Sequence, residues 1–195
     1  MEEEKRSQEL RVGEKIRELR ESKGLSLQDM ANRTGYSSAL LSQVENHFIS
    51  PPLGGLIKIA KALEVKVGTF FGDEPRESYA IVRKDERKHI SRFASKEGIS
   101  YGYSYESLGF DKKDRQMEPF LVTLEPATVK SEKLSSHDGE EFIFVLEGEM
   151  EAILGDHKDV LHPGDCIYYD STIPHKVQCH TAIPTKILAV LWTPQ

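Results

Sequence analysis

Apolar residues recur at helical spacing through the first 71 positions and at every second position from about residue 79 onward. Leu10, Val12, Ile16 and Leu19 share one face of a helix that ends near Ser22, with Gly24 as its stop signal. Ser26 precedes Leu-Gln-Asp with Asp29 three residues on, a capping-box spacing in which Asp replaces the usual Glu or Gln. A second helix then carries Leu27, Met30 and Ala31 and ends at Gly35. A third has Leu40, Leu41 and Val44 at core spacing, and Pro51-Pro52 breaks the chain after it. Leu53, Leu56, Ile57, Ala60 and Leu63 mark a fourth helix, and Val67 to Phe71 a short fifth. Residues 72–79 are polar and charged around Pro75 and are expected to be a linker.

Beyond the linker the period is two. Strands are expected over 79–83, 100–107, 120–125, 141–146, 149–154, 166–169, 175–178 and 187–191. Gly148, Gly155-Asp156 and Pro163-Gly164 supply the turns between them. Many short strands with regular turn signals predict an all-β sandwich or barrel. The expected organisation is two domains: an all-α five-helix domain over 1–71, with its core in 9–71, then the linker 72–79 and an all-β domain over 80–195.

Composition narrows the function classes. The longest apolar runs, such as Phe142 to Leu146 and Ile187 to Trp192, are far shorter than the ~20 residues of a membrane-spanning helix. The N-terminal Met-Glu-Glu-Glu-Lys-Arg has no apolar core of a signal peptide, so a cytoplasmic location is expected. Cys166 and Cys179 are too few for a disulfide framework and read as ordinary thiols of a reducing compartment. The net charge of −6 is unevenly placed. Residues 1–72 hold 11 Lys/Arg against 10 Asp/Glu, whereas residues 73–195 hold 15 against 22. An acidic total therefore leaves nucleic acid open as a partner of the helical part.

The stretch from Gln28 to Asn46 runs helix, glycine turn, helix, the arrangement that places a second helix in the DNA major groove. Ala31, Leu40 and Val44 would pack the two helices together, leaving Ser37, Ser38, Ala39, Ser42 and Gln43 pointing outward. Residues 9–71, including Leu-Ser-Gln-Val-Glu-Asn46 and Leu-x-x-Ile-Ala-Lys-Ala-Leu63, resemble the helix-turn-helix domain of the lambdoid phage repressors, the XRE family. That resemblance implies a phosphate contact at Gln28, base contacts from Ser38, Ala39 and Gln43, and Ser37, Ser42 and Asn46 beside them. Arg17, Arg20, Lys23, Arg33 and Lys58 are available as phosphate contacts or as ordinary surface charges.

In the second part, strand parity places His137 with Glu141, Ile143 and Val145 on one face, and Ile173-Pro-His175 follows further on. Two imidazoles and a carboxylate converging in a barrel make a two-histidine-one-carboxylate site, which suits Fe(II), with Mn, Ni and Zn as alternatives. These segments resemble the two motifs of the cupin superfamily, a jelly-roll barrel, over residues 115–193 strongly and 79–114 weakly. Carried over residue by residue, His137, Glu141 and His175 occupy three metal-ligand positions. Ser135 stands where the family usually has a further histidine, and Thr172 replaces a glycine. The site is thus either a three-ligand metal centre or a metal-free pocket. Ser135, Tyr103 and Tyr105 are candidate effector-pocket residues, the two tyrosines as members of the alternating Tyr101, Tyr103, Tyr105 series.

The whole arrangement resembles the XRE–cupin regulators. It implies a homodimer that binds a double-stranded DNA operator and is controlled by a small-molecule effector bound in the barrel, with the barrel supplying the dimer contact. The alternative is an enzyme: hydroxypropylphosphonate epoxidases, mononuclear non-haem iron enzymes, share the two-domain arrangement. By that analogy Lys23 and Tyr105 would meet the substrate.

Overall fold

The computed structural model describes residues 12–49, 51–71, 77–91, 102–126 and 134–194. Leu10, residues 72–76 of the linker, and Ser100 and Tyr101 at the start of an expected strand lie outside them.

Among the described residues the first part holds four α-helices: α1 (Val12–Ser22), α2 (Leu27–Thr34), α3 (Ser38–Glu45) and α4 (Leu53–Ala62). The fifth expected helix, Val67–Phe71, is a single 3-10 stretch, as suits a five-residue segment too short to close successive i to i+4 bonds. The capping box is formed: the Asp29 amide donates to Ser26 Oγ at 3.1 Å, and the Ser26 amide to Asp29 Oδ2 at 2.8 Å. Gly35 ends α2 in the left-handed region at φ 74°, a conformation that a β-carbon disfavours. Ser37 then caps α3 by accepting the Leu40 amide at 3.1 Å. Ile16, Met30, Leu41, Leu56, Ile59, Leu63 and Phe70 form the bundle core, each at most 2% exposed. Each such burial contributes roughly 1.5–3 kcal/mol relative to leaving the side chain in water.

Among the described residues the second part is two antiparallel sheets. One has six strands in the order β1-β2-β3-β9-β4-β7, and the other three in the order β6-β5-β8. The strands are β1 (Lys88–Ser91), β2 (Tyr103–Ser107), β3 (Met117–Leu124), β4 (Glu140–Glu147), β5 (Met150–Leu154), β6 (His157–Leu161), β7 (Cys166–Asp170), β8 (His175–Cys179) and β9 (Thr185–Trp192). Alternate residues of β3, β4 and β9, among them Phe120, Val122, Ile143, Val145, Ile187 and Ala189, are buried. Three differences from the sequence expectation stand out, the first being β1, an edge strand that was not expected and pairs with β2. Residues 79–83 form no strand, because the apolar Tyr79 and Ile81 are about two-thirds exposed and find no sheet edge. Strand β6, His-Lys-Asp-Val-Leu, was not expected; it pairs with β5 across the Gly155-Asp156 turn although its first three residues are exposed.

The two parts touch. The Tyr105 hydroxyl, fully buried, donates to the Pro51 carbonyl at 2.8 Å. Lys61 at the end of α4 meets Asp138 at 2.5 Å. Gly54 lies so close to the barrel that an added β-carbon would stand 3.0 Å from His137 Cδ2 and 3.1 Å from Ser135 Oγ.

Candidate functional site

Strand β4 and two loops assemble the barrel site. Glu141 projects inward one step below Ile143. The segment before β4 is pinned by backbone bonds to the start of β8 and to Ser171. Ser135 and His175 exchange amide-to-carbonyl bonds at 2.9 and 2.8 Å, and the His137 amide donates to the Ser171 carbonyl at 2.9 Å. These pairings bring His137, Glu141 and His175 together, and one ligand atom from each lies within 4.8 Å of the others.

The hydrogen bonds fix the ring orientations. His137 Nδ1 lies 3.1 Å from the Asp138 carbonyl, and His175 Nδ1 lies 2.8 Å from the Ile173 carbonyl. A carbonyl only accepts, so His175 Nδ1 carries its proton, whereas both ring nitrogens of His137 face acceptors and its Nε2–H donates to the Glu141 carboxylate. His137 Nε2 then sits 2.8 Å, and His175 Nε2 3.6 Å, from Glu141 Oε1. A divalent cation that displaced the His137 Nε2 proton would meet both Nε2 atoms and the Glu141 oxygen in one buried space. The second Glu141 oxygen accepts the Tyr169 hydroxyl at 2.6 Å.

Burial alone would raise the Glu141 carboxyl, but hydrogen bonds from His137 and Tyr169 and the nearby His175 outweigh it and hold the group below its ordinary value. Burial pushes the His175 imidazole down toward its neutral form, only partly opposed by the Glu141 charge. Burial, reinforced by the Glu141 carboxylate, drives the Tyr169 hydroxyl far up, so it stays a donor. The donor set fits a divalent metal: two imidazoles each turned with Nδ1 toward a carbonyl, and one carboxylate oriented by a phenol. Ser135 Oγ lies 3.5 Å from His175 Nε2, at the edge of the same space.

The two tyrosines named as pocket residues are committed elsewhere. Tyr103 donates to the Val177 carbonyl at 3.1 Å, Tyr105 bonds Pro51, and both rings are buried in the core. The open space beside the site is instead an interdomain cleft of about 1060 Å³, walled by α4 and residues that follow it on one side and by Ser136, His137 and Asp138 on the other.

On the helical domain, α3 places Ala39 and Gln43 on the exposed side, with Ser42 half-buried, while Leu41 and Val44 face the core. Gln28 is exposed at the start of α2 and accepts the Ser38 hydroxyl at 3.2 Å. Asn46 bonds the Ser42 carbonyl through its amide and accepts Arg17 at 2.6 Å. The phosphate contacts considered from sequence sort unevenly. Arg20 is buried and grips Glu45 with two bonds at 2.6 and 2.9 Å, so it is scaffold. Arg33 and Lys58 line the interdomain cleft. Lys23 stays exposed. Sequence reading missed Tyr169, whose register partner across β4 and β7 is Glu141, and Gly54, whose role depends on a contact with the other domain.

Comparison with known proteins agrees with this geometry. Residues 11–69 match the helix-turn-helix domain model and residues 120–191 the cupin domain model, so the chain joins a helix-turn-helix domain to a cupin. It is a helix-turn-helix transcriptional regulator with a cupin domain. It is 26% identical over 182 residues to the HTH-type transcriptional regulator PuuR of Escherichia coli, covering 92% of this chain and 94% of that protein. A crystal structure of an HTH_3-family transcriptional regulator from Vibrio cholerae superposes with a TM-score of 0.61 at 26% identity, covering 95% of this chain and 97% of the other. The Fe(II) form of HppE matches at 24% identity with a TM-score of 0.50 over 94% of this chain and 98% of that one. That likeness shows a shared fold and carries no chemistry across; the named relatives favour the regulator over the enzyme. Among the described residues no helix is long and apolar enough to cross a membrane.

Proposed function

We propose that this regulator is a cytoplasmic homodimer that reads an inverted-repeat DNA operator and responds to a small effector held at its cupin. The domain limits are 1–71, a linker over 72–79, and 80–195. The observation that carries the DNA reading is the exposed side of α3, where Ala39 and Gln43 stand on a helix locked to α2 by Leu41, Val44 and Ala31. Ser38, Ala39 and Gln43 meet base edges, and Gln28 with Ser37, Ser42 and Asn46 flanks them. One such module makes few base contacts, so two must sum their free energies over two half-sites.

The outer face of the six-stranded sheet supports the dimer. Phe142 and Phe144 of β4 stand across from Val190 and Leu188 of β9, with the more exposed Tyr168, Trp192 and Met117 around them. Cross-strand neighbours of this kind form a contiguous apolar surface, which a second copy of the same face would cover. At the triad, His137, Glu141 and His175 hold a divalent metal, of which Fe, Mn, Ni and Zn all suit the donors. When bound, the metal supplies a positive centre that anchors an anionic group of the effector.

Sequencing the genomic fragments retained by the purified protein at two salt concentrations tests the reading. The expected result is a few sharp sites with an inverted repeat that persist at the higher salt and are lost in Gln43→Ala. Diffuse binding that vanishes with salt would mean backbone attraction without readout.

A further inference from the structure

The interdomain cleft is cationic in an acidic protein. Its walls carry five cationic side chains and three acidic ones, while the whole chain has a net charge of −6. Each of the three carboxylates already has a partner. Glu118 is held by Arg115 at 2.7 Å, Asp138 by Lys61 at 2.5 Å, and Glu64 faces Arg33 at 3.6 Å. Lys58 and Lys66 are left without an ion-pair partner among the described residues; Lys66 feels Glu118 only at longer range. They flank the cleft from the helical side, Lys58 within α4 and Lys66 just beyond it, while His137 of the triad lines its opposite wall. A cleft of about 1060 Å³ exceeds what a few waters need and lies at the upper end of small-molecule sites. Lys58 is half-buried in the cleft wall, where part of the screening solvent is excluded, and the exposed Lys66 adds a second positive charge on the same side.

We infer that this cleft is the effector site and that the effector is a small organic acid whose carboxylate or phosphate is bound by Lys58 and Lys66, between the DNA-binding domain and the triad. The inference rests on the regulator reading above and names its ligand class. It also gives the ligand a route to the DNA-binding helices. Lys58 belongs to α4, whose first turn lies against His137 through Gly54 and whose preceding Pro51 carbonyl is tied to Tyr105. A ligand that bridges both walls binds only one relative arrangement of the two domains, and such unequal affinity is what shifts a conformational equilibrium.

The test is calorimetric titration of the full-length protein at constant ionic strength with succinate, with inorganic phosphate and with 1,4-diaminobutane. The protein is compared with the double variant Lys58→Gln, Lys66→Gln, whose fold is checked by circular dichroism. At least one acid is expected to bind, the diamine is not, and the variant is expected to weaken the acid at least tenfold. Which acid binds separates a carboxylic from a phosphoric effector. Preference for the diamine, no binding of either acid, or equal acid binding by wild type and variant would overturn the inference. Fragment capture on the same two proteins separates the two levels. Sharp operator sites without acid binding sink the cleft and leave the regulator standing. Lysine-dependent acid binding without operator sites sinks the regulator reading and leaves an anion site.

Discussion

Each domain buries charged side chains, and it builds with them in opposite ways. In the helical domain, Arg20 and Glu45 meet donor to acceptor: Nε bonds one carboxylate oxygen, Nη2 the other, and Nη1 the Leu25 carbonyl at 2.9 Å. The fork of the guanidinium matches the carboxylate, and the cluster needs nothing further. In the cupin, Nε2 of two imidazoles points at one Glu141 oxygen, His137 bonding it at 2.8 Å while His175 stands off at 3.6 Å, so the cluster is only partly paired. A fully paired cluster holds two helices at a fixed angle, whereas an incompletely paired one is poised to take up a cation. Burial alone does not tell scaffold from site; the completeness of the pairing does.

That contrast can be broken from either side. Glu45→Ala leaves the Arg20 charge buried without its partner and is expected to cost about 3–5 kcal/mol in urea unfolding of the helical domain. The double variant Arg20→Met, Glu45→Leu should recover most of that loss. A single variant costing under about 1 kcal/mol would show that the pair is solvated and incidental.

A smaller effect is expected at the junction. Tyr105→Phe strands the buried Pro51 carbonyl and should cost roughly 1–3 kcal/mol, with faster proteolysis near residues 72–79 as the domains part. Unchanged stability and cleavage would mean that the contact does not hold the domains together.

The smallest effect is a pH dependence. His175 and Glu141 both have folded values below their ordinary 6.5 and 4.5. The unfolded chain therefore binds protons first, and each group contributes stability that is present at higher pH and lost on acidification. With metal chelated, the melting temperature should fall as pH drops below about 6.5, where His175 acts, and again below about 4.5, where Glu141 acts. A flat profile between pH 7.5 and 5.5 would show that His175 is not held neutral.

The sequence displayed the helical domain more fully than the barrel. Helix limits are written in local chemistry, and Ser26, Asp29, Gly35 and Ser37 all cap where their types predict. Strand limits depend on partners distant in the chain. The polar start of β6 conceals a hairpin that only pairing with β5 reveals, and Ile81 looks like strand but finds no edge. The grouping of His137, Glu141 and His175 was legible from the cupin-like motifs rather than from strand parity, since His137 precedes β4 and His175 opens β8. Tyr169, the cleft lysines and Gly54 were not, since their roles arise from register and from the meeting of two domains. Arg20 shows the same limit: its spacing on α1 suits a phosphate contact, and only the fold turns it inward onto Glu45.

The most direct test of the contrast between the two clusters is metal titration of the chelator-treated full-length protein at pH 7.5, using Ni(II) because it does not change oxidation state under these conditions. One ion per chain should bind, the affinity should drop at least ~100-fold in Glu141→Gln, and it should be unaffected by Gln43→Ala on the other domain. Binding no stronger for wild type than for Glu141→Gln would contradict the claim that the His137–Glu141–His175 triad is built for a cation.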